Sequence, residues 1–276
     1  MGAAGPPQNP TRYLAMEVVL NIARYTSSIR GIDRLRRARR RRRDARELQG
    51  APCSRAGYPI WRIHDRLRWG ALGRYVSLAR RIPGWVRGPE AVELARCARS
   101  LPAGAAIVEV GAFLGGSAVL LAGARKLSGS GKVHCVDPFD ASGDAFSAPV
   151  YRAIERALGG SLRRQFDDNI RRAGMSDWVE THQGTAGEIA AGWRRPIDML
   201  FLDGDQSPAG ARLAYERWAP FLRRGGIIAL HNSRSGSYGD GHDGHRRLVV
   251  ETIRPPEYAD VRCVGTTTFA RKTSGR

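Results

Sequence analysis

The sequence has few cysteines, almost no lysine and no long apolar run. Its four cysteines, Cys53, Cys97, Cys135 and Cys263, lie far apart and form no C-x-x-C pair. This distribution disfavours a cysteine metal cluster or a disulfide framework and is typical of a reducing cytosol. No stretch approaches the roughly 20 apolar residues that a membrane crossing needs. The first apolar stretch, YLAMEVVLNIA, carries Glu17 and has no small-residue cleavage site after it, so we expect a cytoplasmic protein without a signal peptide.

Positive charge is abundant, and it is concentrated in one region. Residues 1–100 carry 22 basic and 7 acidic side chains, or +15, whereas residues 101–276 carry 23 and 19, or +4. The run RLRRARRRRRDARE, residues 34–47, could contact nucleic acid, an anionic membrane surface or an acidic partner. A solvated helix face in an arginine-rich protein is the alternative, because only 3 of the 45 basic residues are lysine. No aromatic residue is interleaved in the run, which disfavours nucleic acid as a partner and leaves peripheral contact with an anionic surface open.

The chain divides into two regions with different patterns of apolar residues. Up to about residue 80, AMEVVLNIARYTSSI and WRIHDRLRWGALGRYVSLARRI show apolar residues at helical spacing. From Ala106, the apolar runs AIVEVG, KVHCVD, WVETHQG, IDMLFLDGD and GGIIALHNS alternate with amphipathic segments, and VRCVG with TTFARK could close the sheet as a hairpin. Strands that alternate with helices predict an α/β fold with a doubly wound, Rossmann-like sheet. We therefore predict a basic helical extension over residues 1–80 and a catalytic domain over residues 81–276.

The first two predicted strands are followed by residues suited to a nucleotide-like cofactor. EVGAFLGGSA, which begins at Glu109, is a glycine-rich turn that leads into a helix, and Asp137 follows 28 residues after Glu109. Ligands of such sheets bind beyond the carboxyl ends of the strands, where an acid can accept hydrogen bonds from ribose hydroxyls. Gly111, Gly115 and Gly116 do not match the G-x-G-x-x-G spacing of nicotinamide enzymes. Because Glu109 suits a cationic amino-acid moiety better than a pyrophosphate, these residues favour S-adenosylmethionine.

From IPGWVRGPEAVELARCA to FLDGDQSPAGARLAYERWAPFLRRGGIIALHNS, roughly the last two-thirds of the chain, the sequence resembles class I S-adenosylmethionine-dependent methyltransferases. It is most similar to the branch that contains macrolide-sugar O-methyltransferases. The resemblance implies a seven-stranded sheet with the last strand antiparallel and a small hydroxylated acceptor, such as a sugar or glycoside in secondary-metabolite or glycan biosynthesis. It also implies a cofactor site formed by Glu109, Gly111, Gly115, Ser117, Asp137, Gln183 and Gly184.

The resemblance further implies a possible metal site. Metal-dependent members of this fold hold a divalent ion with an acid after the fourth strand and a residue pair after the fifth, which here are Asp203, His231 and Asn232. An ion such as Mg²⁺ would polarise the acceptor hydroxyl. His231 stands where the family usually has a carboxylate, and its nitrogen shifts the preference away from magnesium. Both a metal-dependent and a metal-free reaction therefore stay open.

The residue at the position of the general base is a second difference from the family pattern, after His231. Three residues after the metal-binding acid the sugar methyltransferases commonly have a histidine, but this chain has Gln206, which cannot take up a proton at neutral pH. The candidates are Asp205, His231, and the residues His242, Asp243 and His245 of the loop SYGDGHDGHRR. Asp203 and Asp205 could instead cap the following helix. For His134 and His182, inside predicted strands, we expect core or surface roles, and a homo-oligomer is compatible with the sequence.

Overall fold

The computed structural model describes residues 58–236, 239 and 241–274, and within them a seven-stranded sheet has helices on both faces. The strands are β1 (Ala106–Val110), β2 (Lys132–Asp137), β3 (Val179–Gln183), β4 (Ile197–Leu202), β5 (Leu222–Leu230), β6 (Tyr258–Val264) and β7 (Thr267–Lys272). The α-helices are α1 (Tyr58–Trp69), α2 (Gly73–Ala79), α3 (Gly88–Ser100), α4 (Gly116–Ser128), α5 (Ala148–Leu158), α6 (Leu162–Ala173), α7 (Ala186–Gly192), α8 (Pro208–Trp218) and α9 (Gly244–Glu251).

The strand order is β3-β2-β1-β4-β5-β7-β6, with β1 to β5 parallel and β7 antiparallel to both of its neighbours. The predicted doubly wound sheet with an antiparallel last strand is thereby confirmed. The order reverses at β1 and β4, which pair directly. In open α/β sheets the ligand crevice lies at such a reversal, beyond the carboxyl ends of the strands.

Backbone hydrogen bonds continue past the ends of the central strands. The amide of Gly111 donates to the carbonyl of Val136 at 2.8 Å, and the amide of Asp203 donates to that of Val110 at 2.8 Å. The amide of His231 likewise donates to the carbonyl of Leu202 at 3.1 Å. The first residues after β1, β4 and β5 are therefore fixed side by side by the main chain.

The central strands are buried on both faces, as expected for parallel strands covered by helices. Along β4, successive side chains point to opposite faces: Met199 and Phe201 pack in the cluster with α3 and α4, whereas Leu200 and Leu202 pack in the cluster with α8. This explains why IDMLFL is apolar except for Asp198 and why all of its residues are buried.

The described part of the predicted extension is helical and packs on the domain. Tyr75 of α2 lies so close to α4 that a Cβ atom on Gly123 would be 2.2 Å from its ring. Asp65 of α1 is fully buried and accepts hydrogen bonds from Arg80 at 2.7 Å and Ser77 at 3.2 Å. Residues 1–57, with the basic run, lie outside the described residues, so the division into 1–80 and 81–276 stays a prediction. Among the described helices, none is long and apolar enough to cross a bilayer.

Candidate active site

The turn after β1 requires glycine at two positions. Gly111 has a φ of +92°, and a Cβ atom there would lie 2.4 Å from the amide nitrogen of Gly204. Gly115, with a φ of +87°, is the N-cap residue of α4. Glycine adopts this left-handed conformation without the cost that a side chain would add. The turn therefore brings the N-terminus of α4, a favourable place for polar ligand groups, to the crevice.

Asp137, at the end of β2, holds this turn in place. Its Oδ2 accepts the amide of Phe113 at 2.8 Å and its Oδ1 accepts the amide of Phe139 at 2.7 Å. Burial raises the pKa of Asp137, although these amide bonds act in the opposite direction. Its carbonyl accepts the amide of Gly184 at 3.1 Å, and the amide of the exposed Gln183 side chain donates to the carbonyl of Pro138 at 3.4 Å. The structure thus brings the predicted ribose and adenine residues to one edge.

Glu109 is buried directly beneath the glycine turn. Its Oε2 accepts a hydrogen bond from the Cys135 thiol at 3.2 Å, whereas its buried Oε1 has no hydrogen-bond partner among the described residues. Burial raises the pKa of Glu109 to about 8; the Ser117 hydroxyl lowers it and the negative charge of Asp203 raises it further. A buried acceptor without a donor is destabilising unless a ligand supplies one. The cationic amine of S-adenosylmethionine would do so, and these residues therefore fit that cofactor.

On the acceptor side, His231 lies between two carboxylates. Its Nδ1 is 2.7 Å from Oδ1 of Asp203, and its Nε2 is 3.8 Å from Oε1 of Glu90. Burial lowers the pKa of His231, but the negative charges of Asp203 and Glu90 outweigh this and raise the pKa to about 10. The two carboxylates therefore favour the imidazolium form of His231, which does not accept a further proton, although burial also raises the pKa of Asp203.

Sequence reasoning missed Glu90. Its Oε2 accepts hydrogen bonds from the Thr266 amide at 2.7 Å, the Thr266 hydroxyl at 2.8 Å and the Thr267 hydroxyl at 3.2 Å. Burial raises the pKa of Glu90. The charge of His231 and the hydrogen bonds from His231 and Thr266 lower it by more, so the net pKa is about 2. In GPEAVELA this residue stands in the first turn of α3, where an acid is ordinary. Only the fold, which brings α3 beside the end of β5, reveals its second role.

The predicted magnesium site can be tested against this geometry. Mg²⁺ requires oxygen ligands in near-ideal octahedral geometry. Asp203 directs Oδ1 at His231 and also accepts the Gln206 side-chain amide there at 3.3 Å. Both nitrogens of His231 face carboxylates, so the ring offers N–H groups rather than a lone pair. Asn232, with a φ of +52°, adds at most one side-chain oxygen. Asp203, His231 and Asn232 as arranged therefore do not fit magnesium.

Gln206 and Asp205 follow Asp203 but have different surroundings. Gln206 is 2% exposed; its side-chain amide donates to Oδ1 of Asp203, and its main-chain carbonyl accepts a hydrogen bond from the Gly244 amide at 2.9 Å. It therefore orients Asp203 and ties the loop after β4 to α9. Asp205 is exposed, and its Oδ1 accepts the amide of Ser207 at 2.9 Å. These are the contacts of a turn before a helix, with Ser207 as the N-cap of α8.

The loop histidines also have defined partners. His242 Nδ1 lies 3.1 Å from Oδ1 of Asp144, which follows β2, and its ring packs on Phe146 with centroids 4.7 Å apart. His245 Nδ1 donates to the carbonyl of His231 at 2.7 Å. Burial lowers the pKa of His245 to about 4, so its ring is neutral at physiological pH. The loops after β2 and β5 thus meet over the carboxyl ends of the strands.

An aromatic cluster forms the wall beside the glycine turn. The ring centroids of Trp85 and Phe113 lie 5.7 Å apart, those of Trp85 and Tyr151 5.7 Å, and those of Phe113 and Tyr151 4.9 Å. Burial raises the pKa of Tyr151, and the charge of Asp203 adds to this rise. Phe113 belongs to the turn after β1, and the influence of Asp203 on Tyr151 places Tyr151 in the neighbourhood of Asp203. No sequence signal singled out Tyr151, which stands in an ordinary amphipathic helix.

Comparisons with known proteins bear on the fold and on the kind of domain. Residues 108–233 match the family Methyltransf_24, described as a methyltransferase domain. The chain is similar to the O-methyltransferase TomG from Streptomyces achromogenes, described as involved in tomaymycin synthesis and solved with S-adenosylmethionine. That alignment has 21% identity and a TM-score of 0.52 and covers 79% of this chain and 99% of TomG. A Klebsiella pneumoniae protein described as a candidate O-methyltransferase aligns with 21% identity and a TM-score of 0.49, over 79% of this chain and 99% of that one.

Residues 108–233 match a methyltransferase domain, and the seven-stranded sheet has the fold that the resemblance predicts. These findings support an S-adenosylmethionine-dependent methyltransferase as the enzyme class. The roles of its individual site residues are inferred below from their contacts.

Proposed function

We propose that the protein is an O-methyltransferase for a small, hydroxyl-rich acceptor, such as a sugar or glycoside of secondary-metabolite or glycan biosynthesis. The observation that carries this proposal is a set of buried acceptor oxygens without donors. Apart from Glu109 beneath the cofactor turn, the described residues contain three such oxygens: Asp144 Oδ2, Gln206 Oε1 and Asp243 Oδ1.

These three oxygens belong to loops at the carboxyl ends of β2, β4 and β5. The loops are joined to one another: Asp144 pairs with His242, and the main-chain carbonyl of Gln206 accepts a hydrogen bond from the amide of Gly244. Carboxylate and amide oxygens can only accept hydrogen bonds, so a ligand that satisfies them must present donors. A sugar presents several hydroxyl donors on one rigid ring. A planar, apolar acceptor would leave these buried oxygens unsatisfied, at a cost of about 1–3 kcal/mol each.

Asp203 is the residue we assign to the acceptor hydroxyl. Its side chain is 17% exposed, and the bonds from His231 and Gln206 both reach Oδ1. Oδ2 is then available to orient the hydroxyl and to take its proton as the new bond forms. The His231 imidazolium, fixed by Glu90, prevents Asp203 from rotating. Positioning of this kind supplies much of the acceleration of a direct displacement.

S-adenosylmethionine supplies the methyl group from its sulfonium centre. Glu109 would hold the cationic amine, Asp137 would accept hydrogen bonds from the ribose hydroxyls, and Gln183 with Gly184 would line the adenine edge. The aromatic cluster of Trp85, Phe113 and Tyr151 excludes water beside the turn, and aromatic faces also stabilise nearby positive charge. We infer that the reaction needs no metal, because Asp203 and His231, two of the three residues predicted to bind an ion, are bonded to each other.

The TomG comparison supports O-methylation, since that protein is described as an O-methyltransferase and shares the fold. The resemblance to macrolide-sugar O-methyltransferases supports a glycoside acceptor. The alternative is a nucleic-acid or membrane-surface binder that uses the basic N-terminal third, with the methyltransferase domain modifying RNA. Its basic run, residues 34–47, lies outside the described residues, and the comparisons lend this alternative no support.

The decisive experiment measures S-adenosylhomocysteine release across sugars, glycosides and phenols, each with and without EDTA. We expect turnover with a hydroxyl-rich glycoside that EDTA leaves within about twofold, because no step of this scheme uses a metal. Turnover confined to phenols would refute the acceptor class. Loss of turnover with EDTA, restored by Mg²⁺, would refute the metal-free assignment.

A further inference from the structure

A second group of polar side chains lies on the outer strands β2 and β3. His134 pairs with Glu180 across the two parallel strands, and His182 stands two residues beyond Glu180. Because side chains alternate along a strand, all three point to the same face of the sheet. This group does not include Asp203, His231 or Asn232, and the proposed methyl transfer does not use it.

The potential ligand atoms lie close together. Nδ1 of His134 is 3.2 Å from Nε2 of His182 and 3.5 Å from Oε2 of Glu180. Nε2 of His182 is 3.5 Å from the other carboxylate oxygen, Oε1 of Glu180. In a tetrahedral zinc site with bonds of about 2.0–2.1 Å, ligand atoms lie about 3.3–3.4 Å apart. Each nitrogen is therefore near that distance from one oxygen of the carboxylate, and one ligand atom from each residue lies within 4.8 Å of the other two.

The exposure of the three side chains increases from His134 to His182 to Glu180. The side chain of His134 is 2% exposed, that of His182 22% and that of Glu180 44%. Trp193 packs against both imidazoles, with ring centroids at 5.0 Å and 5.9 Å. The fourth position of a tetrahedron would therefore face solvent, where water can complete it.

The histidines are also in the protonation state that metal binding needs. Burial is the main cause that lowers the pKa of His134, to about 4, and it also lowers the pKa of His182. The lowered pKa values favour neutral rings, each with one nitrogen that carries no proton. Because Nδ1 of His134 and Nε2 of His182 are at hydrogen-bond distance, one of these two nitrogens carries N–H, and that ring would change tautomer when an ion binds. The cluster thus combines neutral imidazoles with one carboxylate.

Arg195 is the competing cation. One of its guanidinium nitrogens lies 3.5 Å from Nδ1 of His134 and 3.9 Å from Oε1 of Glu180. Its side chain is 57% exposed and stacks over Trp193, with Cζ 5.0 Å from the ring centroid. A long, exposed side chain can rotate into solvent, so Arg195 lowers the affinity for an ion without blocking the site. Lys132, on the same strand as His134, adds further positive charge.

We propose that His134, Glu180 and His182 form a binding site for a divalent transition-metal ion, with Zn²⁺ as the best match. Two imidazole nitrogens and one carboxylate oxygen are a set that such ions favour, whereas magnesium and calcium prefer oxygen alone. The bound ion would join the edge strand β3 to β2. Of the described residues, this is the one group of three or more histidine, cysteine or acidic side chains that converges closely enough for an ion.

The test is a titration of the full chain with Co²⁺ and Zn²⁺, followed by visible absorption and calorimetry. We expect one Co²⁺ per chain with the intense bands of tetrahedral geometry, displaced by Zn²⁺. A thiolate charge-transfer band would instead place the ion on cysteines and refute the proposal. Six-coordinate Co²⁺ spectra would mark an adventitious surface ion only, and would also refute it.

Variants then locate the ion. His134 is buried, so the half-exposed ligands are changed: His182→Ala and Glu180→Gln should each weaken Zn²⁺ binding by about 100-fold. Arg195→Gln should tighten it by about tenfold, because a competing positive charge is removed. His64→Ala, on the exposed surface of α1, is the matched control and should bind Zn²⁺ as the unmodified protein does. Unchanged affinity in His182→Ala would overturn the assignment.

Discussion

Two buried histidine clusters in this protein use similar residue types in opposite ways. His231 faces a buried carboxylate from each of its nitrogens, and its pKa rises to about 10. His134 shares one half-exposed carboxylate with His182 and lies beside Arg195, and its pKa falls to about 4. Both rings are almost inaccessible to solvent, so burial alone does not separate them. The number and sign of the neighbouring charges decide whether the ring holds a proton or offers a lone pair.

The strongest test of the first cluster is Asp203→Asn, which keeps the shape of the side chain but removes its charge. We expect kcat to fall by about 10²–10⁴-fold, the usual contribution of a positioned proton acceptor. Asp205→Asn is the matched control two residues away and should stay within about twofold, because Asp205 makes only turn contacts. Steady-state kinetics at saturating cofactor measure both. Equal activity of Asp203→Asn and the unmodified enzyme would remove Asp203 from the mechanism.

Glu90→Gln tests whether two carboxylates are needed to keep His231 protonated, because it leaves His231 with only the carboxylate of Asp203. Loss of one partner of a buried charge pair should reduce the free energy of unfolding by about 3 kcal/mol. The pKa of His231 should fall from about 10 towards its ordinary value of 6.5, which NMR titration of the ring can follow. Glu93→Gln, with a largely surface-facing ion pair on the same helix, is the control. An unchanged His231 pKa would contradict the proposed clamp.

The pH dependence of stability should reflect the same pair. The pKa of Glu90 is lowered from 4.5 to about 2, so its contribution is present above pH 4.5 and is lost as pH falls through 2. The pKa of His231 is raised from 6.5 to about 10, so its contribution is full below pH 6.5 and is lost as pH rises through 10. The unfolding free-energy difference between the unmodified protein and Glu90→Gln should therefore be largest between pH 4.5 and 6.5. Urea titrations at several pH values would show a flat difference if the clamp does not exist.

The smallest expected effect belongs to the second cluster. His182→Ala should leave kcat within about twofold, since this side chain contacts no residue assigned to methyl transfer. Zn²⁺ should raise the unfolding temperature of the unmodified protein but not that of the variant, because an ion stabilises only the state that binds it. Differential scanning calorimetry measures this. If the variant lost turnover in proportion to Asp203→Asn, the two clusters would not be independent.

Much of the fold was accessible from the sequence because it depends on local patterns. Buried strands appear as apolar runs, helices show 3.6-residue spacing, and their alternation fixes a parallel sheet. The ligand edge follows from the same pattern, which is why Glu109, Gly111 and Asp137 were predicted and then found around one turn.

The charge network at the acceptor side was not accessible, because it depends on contacts between distant segments. Glu90 has an ordinary helix-start sequence, and only the packing of α3 beside the β6–β7 turn brings it to His231. Gln206 was recognised as a missing histidine, but its bond to Asp203 depends on the loop conformation. Likewise, the partnership of His134 with His182 depends on the register of β2 and β3, which no local pattern specifies.

The close approach at Gly111 also limits how this enzyme can change over evolutionary time. A side chain at this position would collide with the backbone of Asp203 and Gly204, at 2.4–2.5 Å. The turn after β1 and the loop after β4 are therefore coupled, because a side chain at Gly111 would displace both. The loops after β2 and β5, which meet through Asp144 and His242, are free of this constraint and are the places to alter when a different acceptor preference is sought.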